Sequence, residues 1–231
     1  MSQTKIYRQP QYSIPSGATE LLLVRHGESR AASLAHPFDL VNGQGDPELS
    51  SRGKAQAEKL AKRLHSQKID AVYVTTMRRT AETAAPLVNL SNLKPKVEAD
   101  LREVHLGKWE GGLFRIKAAE SDPAFLEMQQ KEEWGLIPGG ESTEALRARI
   151  KVALNKITAA HPDQTVLLVS HGGVIGQILS LATGSRPFAF QHVDNASISQ
   201  IIVSGEEMIV RRFNDTCHLA PTLTKAADPQ T

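Results

Sequence analysis

The chain has 231 residues, of which 40% are hydrophobic and 23% charged, a composition typical of a globular protein with a sizeable core. The formal net charge of +2 is small and dispersed, so the sequence favours neither a nucleic-acid nor a membrane partner. Cys217 is the only cysteine, which excludes an intramolecular disulfide and a cysteine-based metal cluster and favours a cytoplasmic location. The sequence does not indicate an oligomeric state.

The predicted organisation is a single domain between two flexible tails. Residues 1–18 and 221–231 are rich in polar residues and proline, which is typical of poorly ordered chain ends. Between them, over residues 19–220, strand-like and helix-like patterns alternate. This alternation predicts a layered α/β domain.

The first half of the domain contains two predicted strands and two predicted helices. Leu21–Val24 form a continuous apolar run, typical of a strand that is buried on both faces in a parallel sheet. The elements that follow are a long loop at 36–47, a helix from Ser50 or Ser51 to about Ser66, a strand at 69–74 and a helix at 78–89.

The second half contains an irregular segment over residues 104–140 that is rich in glycine. We expect it to be an insertion folded over one edge of the sheet, with a helix near 123–132. A short strand at 96–101 precedes it. The elements that follow it are a helix from Ser142, a strand at 166–169, a helix from Gly173 to about Thr183, and two β-rich segments at 196–203 and 207–213.

Two of the predicted strands end in the same way. The apolar runs at 21–24 and 166–169 are followed by Arg25-His26-Gly27 and by Ser170-His171-Gly172. If the two strands are parallel neighbours, their carboxyl ends lie at one edge of the sheet, where open α/β sheets bind ligands. His26 and His171 would then meet in one crevice, which predicts an enzyme.

The residues after the first strand are suited to binding and attacking an anion. Arg25 can hold an anion while His26 attacks it, and Ser29 adds a hydroxyl donor. Taken alone, a histidine at a strand end is a structural residue about as often as a catalytic one. A metal site made of His26, His171 and Glu103 is a less favoured alternative, because the sequence has no closely spaced helical histidine pair.

These residues resemble the motifs of the histidine phosphatase superfamily, the phosphoglycerate mutase-like group. The family's nucleophile motif Arg-His-Gly-Glu-Ser is matched at residues 25–29. Further matching blocks are an arginine block at 75–84, whose spacing to Thr83-Ala84 selects Arg79, an acid segment at 101–111, Pro-Gly-Gly-Glu-Ser at 138–142 and Ser-His-Gly-Gly at 170–173. The resemblance covers about residues 20–219. It implies a three-layer α/β/α fold with a mostly parallel central sheet.

The resemblance also implies the reaction. The chain would be a metal-independent phosphomonoesterase that needs no cofactor and hydrolyses a small phosphate ester. His26 would form a phosphohistidine, and Glu103 would protonate the leaving oxygen and then deprotonate water. The groups that would hold the phosphoryl group are Arg25, Arg79 and His171, with Ser29, the amide of Gly172 and Asn42 as further donors.

At one position the chain departs from the family. Family members commonly carry an asparagine six residues after the nucleophile that donates a hydrogen bond to phosphate, whereas this chain has Ala32. We expect Asn42 or Gln44, in the long loop that follows, to fold back and supply the missing contact.

Two other functions remain open. The residues after Glu103 lack the arginine and tyrosine typical of phosphoglycerate mutases, and a Trp-Glu-Gly run at 109–111 is more usual in phosphatases. These features favour a phosphatase and leave a 2,3-bisphosphoglycerate-dependent mutase as the first alternative. A non-catalytic module that binds a phosphorylated ligand is the second, and a binder would need neither a nucleophile nor a proton donor. In each case we expect residues 104–140 to form the wall of the substrate pocket.

Overall fold

A computed structural model describes residues 6–220 of the chain. Its strands are β1 (Thr19–Arg25), β2 (Leu40–Val41), β3 (Gln44–Gly45), β4 (Ala71–Val74), β5 (Lys96–Val97), β6 (Thr165–Ser170), β7 (Ile198–Ser204) and β8 (Glu207–Asp215). Its α-helices are α1 (Ser51–Leu64), α2 (Arg78–Asn89), α3 (Leu113–Ala119), α4 (Pro123–Lys131), α5 (Thr143–Ala160) and α6 (Gly172–Thr183). Short 3₁₀ helices lie at Ala99–Leu101, Gly107–Trp109 and Trp134–Leu136.

The central sheet has the strand order β5-β4-β6-β1-β7-β8. Strands β5, β4, β6 and β1 are parallel, β7 is antiparallel to β1, and β8 is antiparallel to β7. In the parallel pair of β1 and β6, Arg25 lies opposite Ser170. His26 and His171, the next residues in the chain, therefore leave the sheet side by side at the carboxyl edge.

Helices cover both faces of the sheet, which confirms the predicted three layers. Leu21 and Leu23 of β1 belong to one core cluster with residues of α5 and α6. Leu22 and Val24 face the other side and belong to a second cluster with residues of α1 and α2. Because successive side chains of a strand point to opposite faces, a strand covered on both sides needs an unbroken apolar run.

The helix predicted at 78–89 has these bounds in the structure, but the strand predicted at 96–101 is wrong beyond residue 97. Only Lys96–Val97 pair with β4, and the chain then turns into the 3₁₀ helix Ala99–Leu101. The cause is local capping, because the side chain of Glu98 accepts a hydrogen bond from the amide of Asp100 at 3.3 Å. This turn ends strand pairing and directs the chain towards Glu103.

A hairpin and a helix that the sequence did not predict shape the region of the site. The loop at 36–47 contains a hairpin of β2 and β3, whose turn residues Asn42 and Gly43 have φ of 50° and 80°. Positive φ at both positions is the requirement of a type I′ turn, for which Asn-Gly is a preferred sequence. Helix α3 follows Gly111 and Gly112 and was missed because paired glycines favour a loop.

Part of the predicted tails lies outside the described residues, namely 1–5 and 221–231. Residues 6–18 contain no helix or strand, although the ring of Tyr12 lies 4.0 Å from the guanidinium carbon of Arg211. None of the helices within residues 6–220 is long and apolar enough to cross a membrane.

Helix α1 fixes the position of the motif that follows β1. The amide of Glu28 donates to the side-chain oxygen of Gln56 at 2.8 Å, and its carboxylate accepts from the hydroxyl of Ser50, the N-cap of α1, at 2.6 Å. The backbones touch at Gly53, where a Cβ atom would lie 1.9 Å from the carbonyl oxygen of Glu28. Only glycine fits this approach.

We expect Gly53→Ala to destabilise the protein. At an uncrowded helix position, replacing glycine by alanine stabilises the folded state by about 1 kcal/mol. Here the added methyl group would clash with a backbone, and such overpacking costs about 1–3 kcal/mol or more. The free energy of unfolding, measured with urea, should therefore fall. Lys54→Ala, at the exposed neighbouring position, is the control and should change it by less than about 0.5 kcal/mol. A more stable Gly53→Ala protein would contradict the contact.

Candidate active site

His26 is held by its backbone on both sides. Its amide donates to the carbonyl of Ser170 at 2.9 Å, and its carbonyl accepts from the side-chain amide of Asn195 at 3.0 Å. The ring Nδ1 lies 2.7 Å from the carbonyl oxygen of Gly27. Because a carbonyl oxygen only accepts, Nδ1 carries the hydrogen in this contact. Nε2 of the neutral ring is then left with a free lone pair.

His171 lies beside His26, with ring centroids 5.2 Å apart, and is fully buried. Its Nε2 is 2.9 Å from the hydroxyl of Thr75 in the β4–α2 connection. Its Nδ1 is buried and has no hydrogen-bond partner within residues 6–220. Burial lowers the pKa of both histidines well below the ordinary value, and the charge of Arg79 lowers both further. Both rings are therefore neutral at pH 7.

Two buried guanidinium groups flank the imidazoles. Arg25 ends β1 and donates to the carbonyl of Val193 at 2.5 Å. Arg79 lies in the first turn of α2, donates to the carbonyl of Gly45 at 3.1 Å and lies 3.6 Å from the carboxylate of Asp46. Burial lowers the pKa of both arginines, because a desolvated cation without a full set of anions is costly. An anionic ligand would offset this cost.

Glu103 enters the site from the loop after the 3₁₀ helix Ala99–Leu101. One carboxylate oxygen accepts from the amide of Val104 at 3.0 Å, and the other lies 3.5 Å from the amide nitrogen of Gly173 in the first turn of α6. The backbone of the loop is held by Arg149 of α5, which donates to the carbonyl of Glu103 at 3.0 Å and pairs with Glu141 at 2.7 Å. The position of the Glu103 carboxylate therefore follows from the hydrogen bonds that hold the backbone of its loop.

Four of the predicted site residues line one cavity, namely Arg25, His26, Arg79 and Glu103. The remaining wall comes from the β2–β3 hairpin with its flanking residues and from the segment 104–140. The lining residues that come from the segment 104–140 are Val104, Leu106, Trp109, Glu110, Gly112, Phe114, Arg115 and Trp134. Arg115 faces this cavity, whereas Lys117 pairs with Asp122 at 2.6 Å.

The other predicted phosphate donors occupy different places. Ser29 is buried, and its hydroxyl accepts from Arg115 at 2.7 Å. Gly172 is buried at the first position of α6. Asn42 is exposed in the hairpin turn and is not among the residues that line the cavity. Gln44 does reach the cavity, but its side-chain nitrogen donates to the carbonyl of Glu103 at 2.9 Å.

The loop at 36–47 contributes to the site as expected through Gln44, but its hairpin structure was not predicted. Gln44 and Gly45 line the cavity, and Gly45 also accepts the hydrogen bond of Arg79. The Asn42-Gly43 pair is a sequence signal that could have predicted it. Arg115 lies in the segment 104–140 that was expected to form the pocket wall, but no motif distinguished it from Lys117.

Within residues 6–220, no three His, Cys, Asp or Glu side chains are arranged to hold a metal ion. The cavity holds the guanidinium groups of Arg25 and Arg79 together with the carboxylate of Glu103. Cationic side chains beside a nucleophilic imidazole suit the equatorial oxygens of a phosphoryl group. The site therefore has the composition of an enzyme that transfers phosphoryl groups.

Comparisons with known proteins agree with this class. Residues 21–216 match the histidine phosphatase superfamily (branch 1), so the chain belongs to this family. It is 32% identical to phosphoserine phosphatase 1 of Hydrogenobacter thermophilus over 213 residues, which cover 90% of this chain and 97% of the relative. It is 30% identical to a probable phosphoglycerate mutase of Yersinia enterocolitica over 209 residues, which cover 87% of this chain and 94% of the relative.

A solved structure supports the same assignment. The mycobacterial glucosyl-3-phosphoglycerate phosphatase superposes with a TM-score of 0.70 at 26% identity, covering 85% of this chain and 99% of its own. The predicted family and the α/β fold are therefore confirmed, and the predicted class of phosphoric monoester hydrolase is supported by relatives of that class.

We expect the protein to lose stability as the pH falls below about 6.5. In the unfolded chain His26 and His171 take up protons near that pH, whereas in the folded protein their lowered pKa values keep them neutral. Each adds up to about 1.4 kcal/mol per pH unit to the slope. The dependence of the free energy of unfolding on pH is measured by urea unfolding in phosphate-free buffer between pH 7.5 and 5.5. His26→Asn should reduce the slope, and an unchanged slope would contradict the assignment.

Gly173→Ala should lower turnover by displacing Glu103. A Cβ atom at Gly173 would lie 2.7 Å from the carboxylate oxygen of Glu103 and 2.8 Å from a methyl group of Val104. A displacement of about 1 Å can cost about 10²-fold in rate. We expect kcat to fall while inorganic phosphate still binds. Gly205→Ala, where a Cβ atom meets no other atom within 4 Å but the φ of 59° is strained for alanine, is the control for a loss of stability away from Glu103. Equal kcat values for the two variants would be the contrary result.

Proposed function

We propose that this chain hydrolyses small phosphate monoesters through a phosphohistidine on His26, without a metal ion. The observation that carries the proposal is the contact of His26 Nδ1 with the carbonyl of Gly27 at 2.7 Å. It fixes the ring hydrogen on Nδ1 and presents Nε2 as the nucleophile, in a cavity that Arg25 and Arg79 also line. A neutral imidazole in this tautomer needs no separate base to attack phosphorus.

In the first step the lone pair of His26 Nε2 forms a bond to phosphorus, and the ester P–O bond breaks. The electron pair of that bond leaves with the ester oxygen, which takes a proton from the carboxyl group of Glu103. The products are an alcohol, a phosphohistidine and a Glu103 carboxylate. Arg25, Arg79 and His171 hold the equatorial oxygens, on which the charge of the transition state is spread.

In the second step the Glu103 carboxylate removes a proton from water, and the water oxygen attacks phosphorus. The P–N bond breaks, its electron pair returns to Nε2, and inorganic phosphate is released. Both steps use the same carboxyl group in opposite directions, so Glu103 must lie on the side of the leaving group. Its position beside the amide of Gly173 at the edge of the sheet supports this role.

The alcohol part of the ester would lie against the wall formed by Leu106, Trp109, Phe114 and Trp134. The relatives named phosphoserine phosphatase and glucosyl-3-phosphoglycerate phosphatase make hydroxy-acid phosphates the first candidates for the substrate. We place the reaction in the cytoplasm because the chain has a single cysteine.

The test is phosphate release from a panel of esters in the presence of EDTA. The panel contains phosphoserine, 3-phosphoglycerate, a sugar phosphate and p-nitrophenyl phosphate. We expect turnover to survive EDTA, and His26→Ala to lower it by at least about 10³-fold, since the variant has no nucleophile. His65→Ala, an exposed histidine at the end of α1, is the matched control and should keep full activity.

A parallel assay with 3-phosphoglycerate and 2,3-bisphosphoglycerate decides between the alternatives. Interconversion without phosphate release would replace the proposal with a mutase. Phosphate binding without turnover of any substrate would replace it with a binding module. Loss of turnover with EDTA, restored by a divalent metal, would contradict the metal-independent mechanism.

A further inference from the structure

The missing asparagine at position 32 leaves one place near the phosphoryl group without its usual donor. Ala32 packs against the start of α3, because a Cβ atom on Gly112 would lie 3.0 Å from the Cβ of Ala32. Gly112 and Arg115 are three residues apart and lie on the same side of the helix. Helix α3 therefore brings the guanidinium of Arg115 to the region that an asparagine at position 32 would serve.

Arg115 is tied to the nucleophile motif itself. One of its terminal nitrogens donates to the hydroxyl of Ser29 at 2.7 Å, and the other donates to the carbonyl of Arg30 at 2.9 Å. These are the only hydrogen bonds of its side chain within residues 6–220, so three of the five N–H groups of the guanidinium remain for a ligand. The guanidinium also lies over the ring of Phe38, 5.0 Å from its centroid, which fixes its orientation.

The charge of Arg115 has no close ion pair. No carboxylate within residues 6–220 lies within 4.0 Å of its guanidinium, the carboxylates of Glu28 and Glu103 act on it only from farther away, and Arg115 lines the same cavity as Arg25 and Arg79. Burial and the repulsion of these two arginines lower the pKa of Arg115 to about 10. Its charge also acts on His26, whose pKa it helps to lower. A half-buried cation beside two others is stabilised by an anion placed among the three.

We propose that Arg115 binds the transferring phosphoryl group and replaces the asparagine that the family carries at position 32. The transfer of this phosphoryl group rests on the proposed function, but binding of the anion to Arg115 can be tested without turnover. Arginine suits the task because its planar fork donates to two phosphate oxygens while its remaining donors stay on Ser29 and Arg30.

The test measures the affinity for inorganic phosphate by calorimetry and the kinetics of phosphoserine and p-nitrophenyl phosphate hydrolysis. Arg115→Met keeps the unbranched apolar part of the side chain but removes the guanidinium, with its donors and its contact with the ring of Phe38. We expect this variant to weaken phosphate binding at least about tenfold and to lower kcat/KM by about 10²–10³-fold for both esters alike. Arg115→Lys keeps the charge without the fork and should recover only part of the loss. Lys117→Met, on the same helix and paired with Asp122, should leave both quantities unchanged.

A rescue experiment separates this role from a structural one. Arg115→Ala opens space beside Ala32, and adding Ala32→Asn to it should restore part of the affinity for phosphate. Unchanged phosphate affinity in Arg115→Met, with a lower melting temperature, would mean that Arg115 only holds the Ser29–Arg30 backbone. A loss confined to phosphoserine would mean that it binds the carboxylate of the substrate. Either result overturns the inference, whereas a wild-type protein that binds phosphate but hydrolyses nothing overturns the proposed function alone.

Discussion

The parallel pairing of β1 with β6 is the constraint on which the site depends. Because Arg25 lies opposite Ser170, the two histidines that follow leave the sheet at the same level, 5.2 Å apart. A shift of this register by one residue would turn every side chain of β1 to the other face and separate the rings. Both faces of β1 are buried, so the apolar cores fix the register, and core packing determines the geometry of the reaction centre.

Burial and electrostatics act in the same direction on His26 and His171. Burial is the main cause of the lowered pKa of both imidazoles, and the two arginines that would bind phosphate lower it further. The empty site is therefore the least favourable state, because guanidinium cations and neutral imidazoles are buried there without an anion. A phosphate dianion relieves the repulsion among the arginines, so the interactions that destabilise the empty site favour the bound one.

The sequence predicted what the sheet edge determines and missed much of what the connections determine. Motif spacing was enough to place four residues at the sheet edge. Arg25 ends a strand, His26 and His171 follow strands, and Arg79 lies in the first turn of a helix. Arg115 depends on the path of residues 104–140, which has no periodic pattern before α3. The loop at 36–47 shows the same limit, since the sequence left both Asn42 and Gln44 as candidates, and only the structure shows that Asn42 is exposed while Gln44 lines the cavity.

The cations of the cavity bear on the choice between hydrolysis and mutase chemistry. A mutase must retain a bisphosphorylated intermediate, and its second phosphate needs a cationic subsite of its own. Within the described residues, the arginines and lysines that line the cavity are Arg25, Arg79 and Arg115. All three are assigned to one phosphoryl group, and the rest of the wall at 104–140 is largely apolar, with Leu106, Trp109, Phe114 and Trp134. With no further arginine or lysine among the described lining residues to hold a second phosphate, water is the acceptor that the cavity favours.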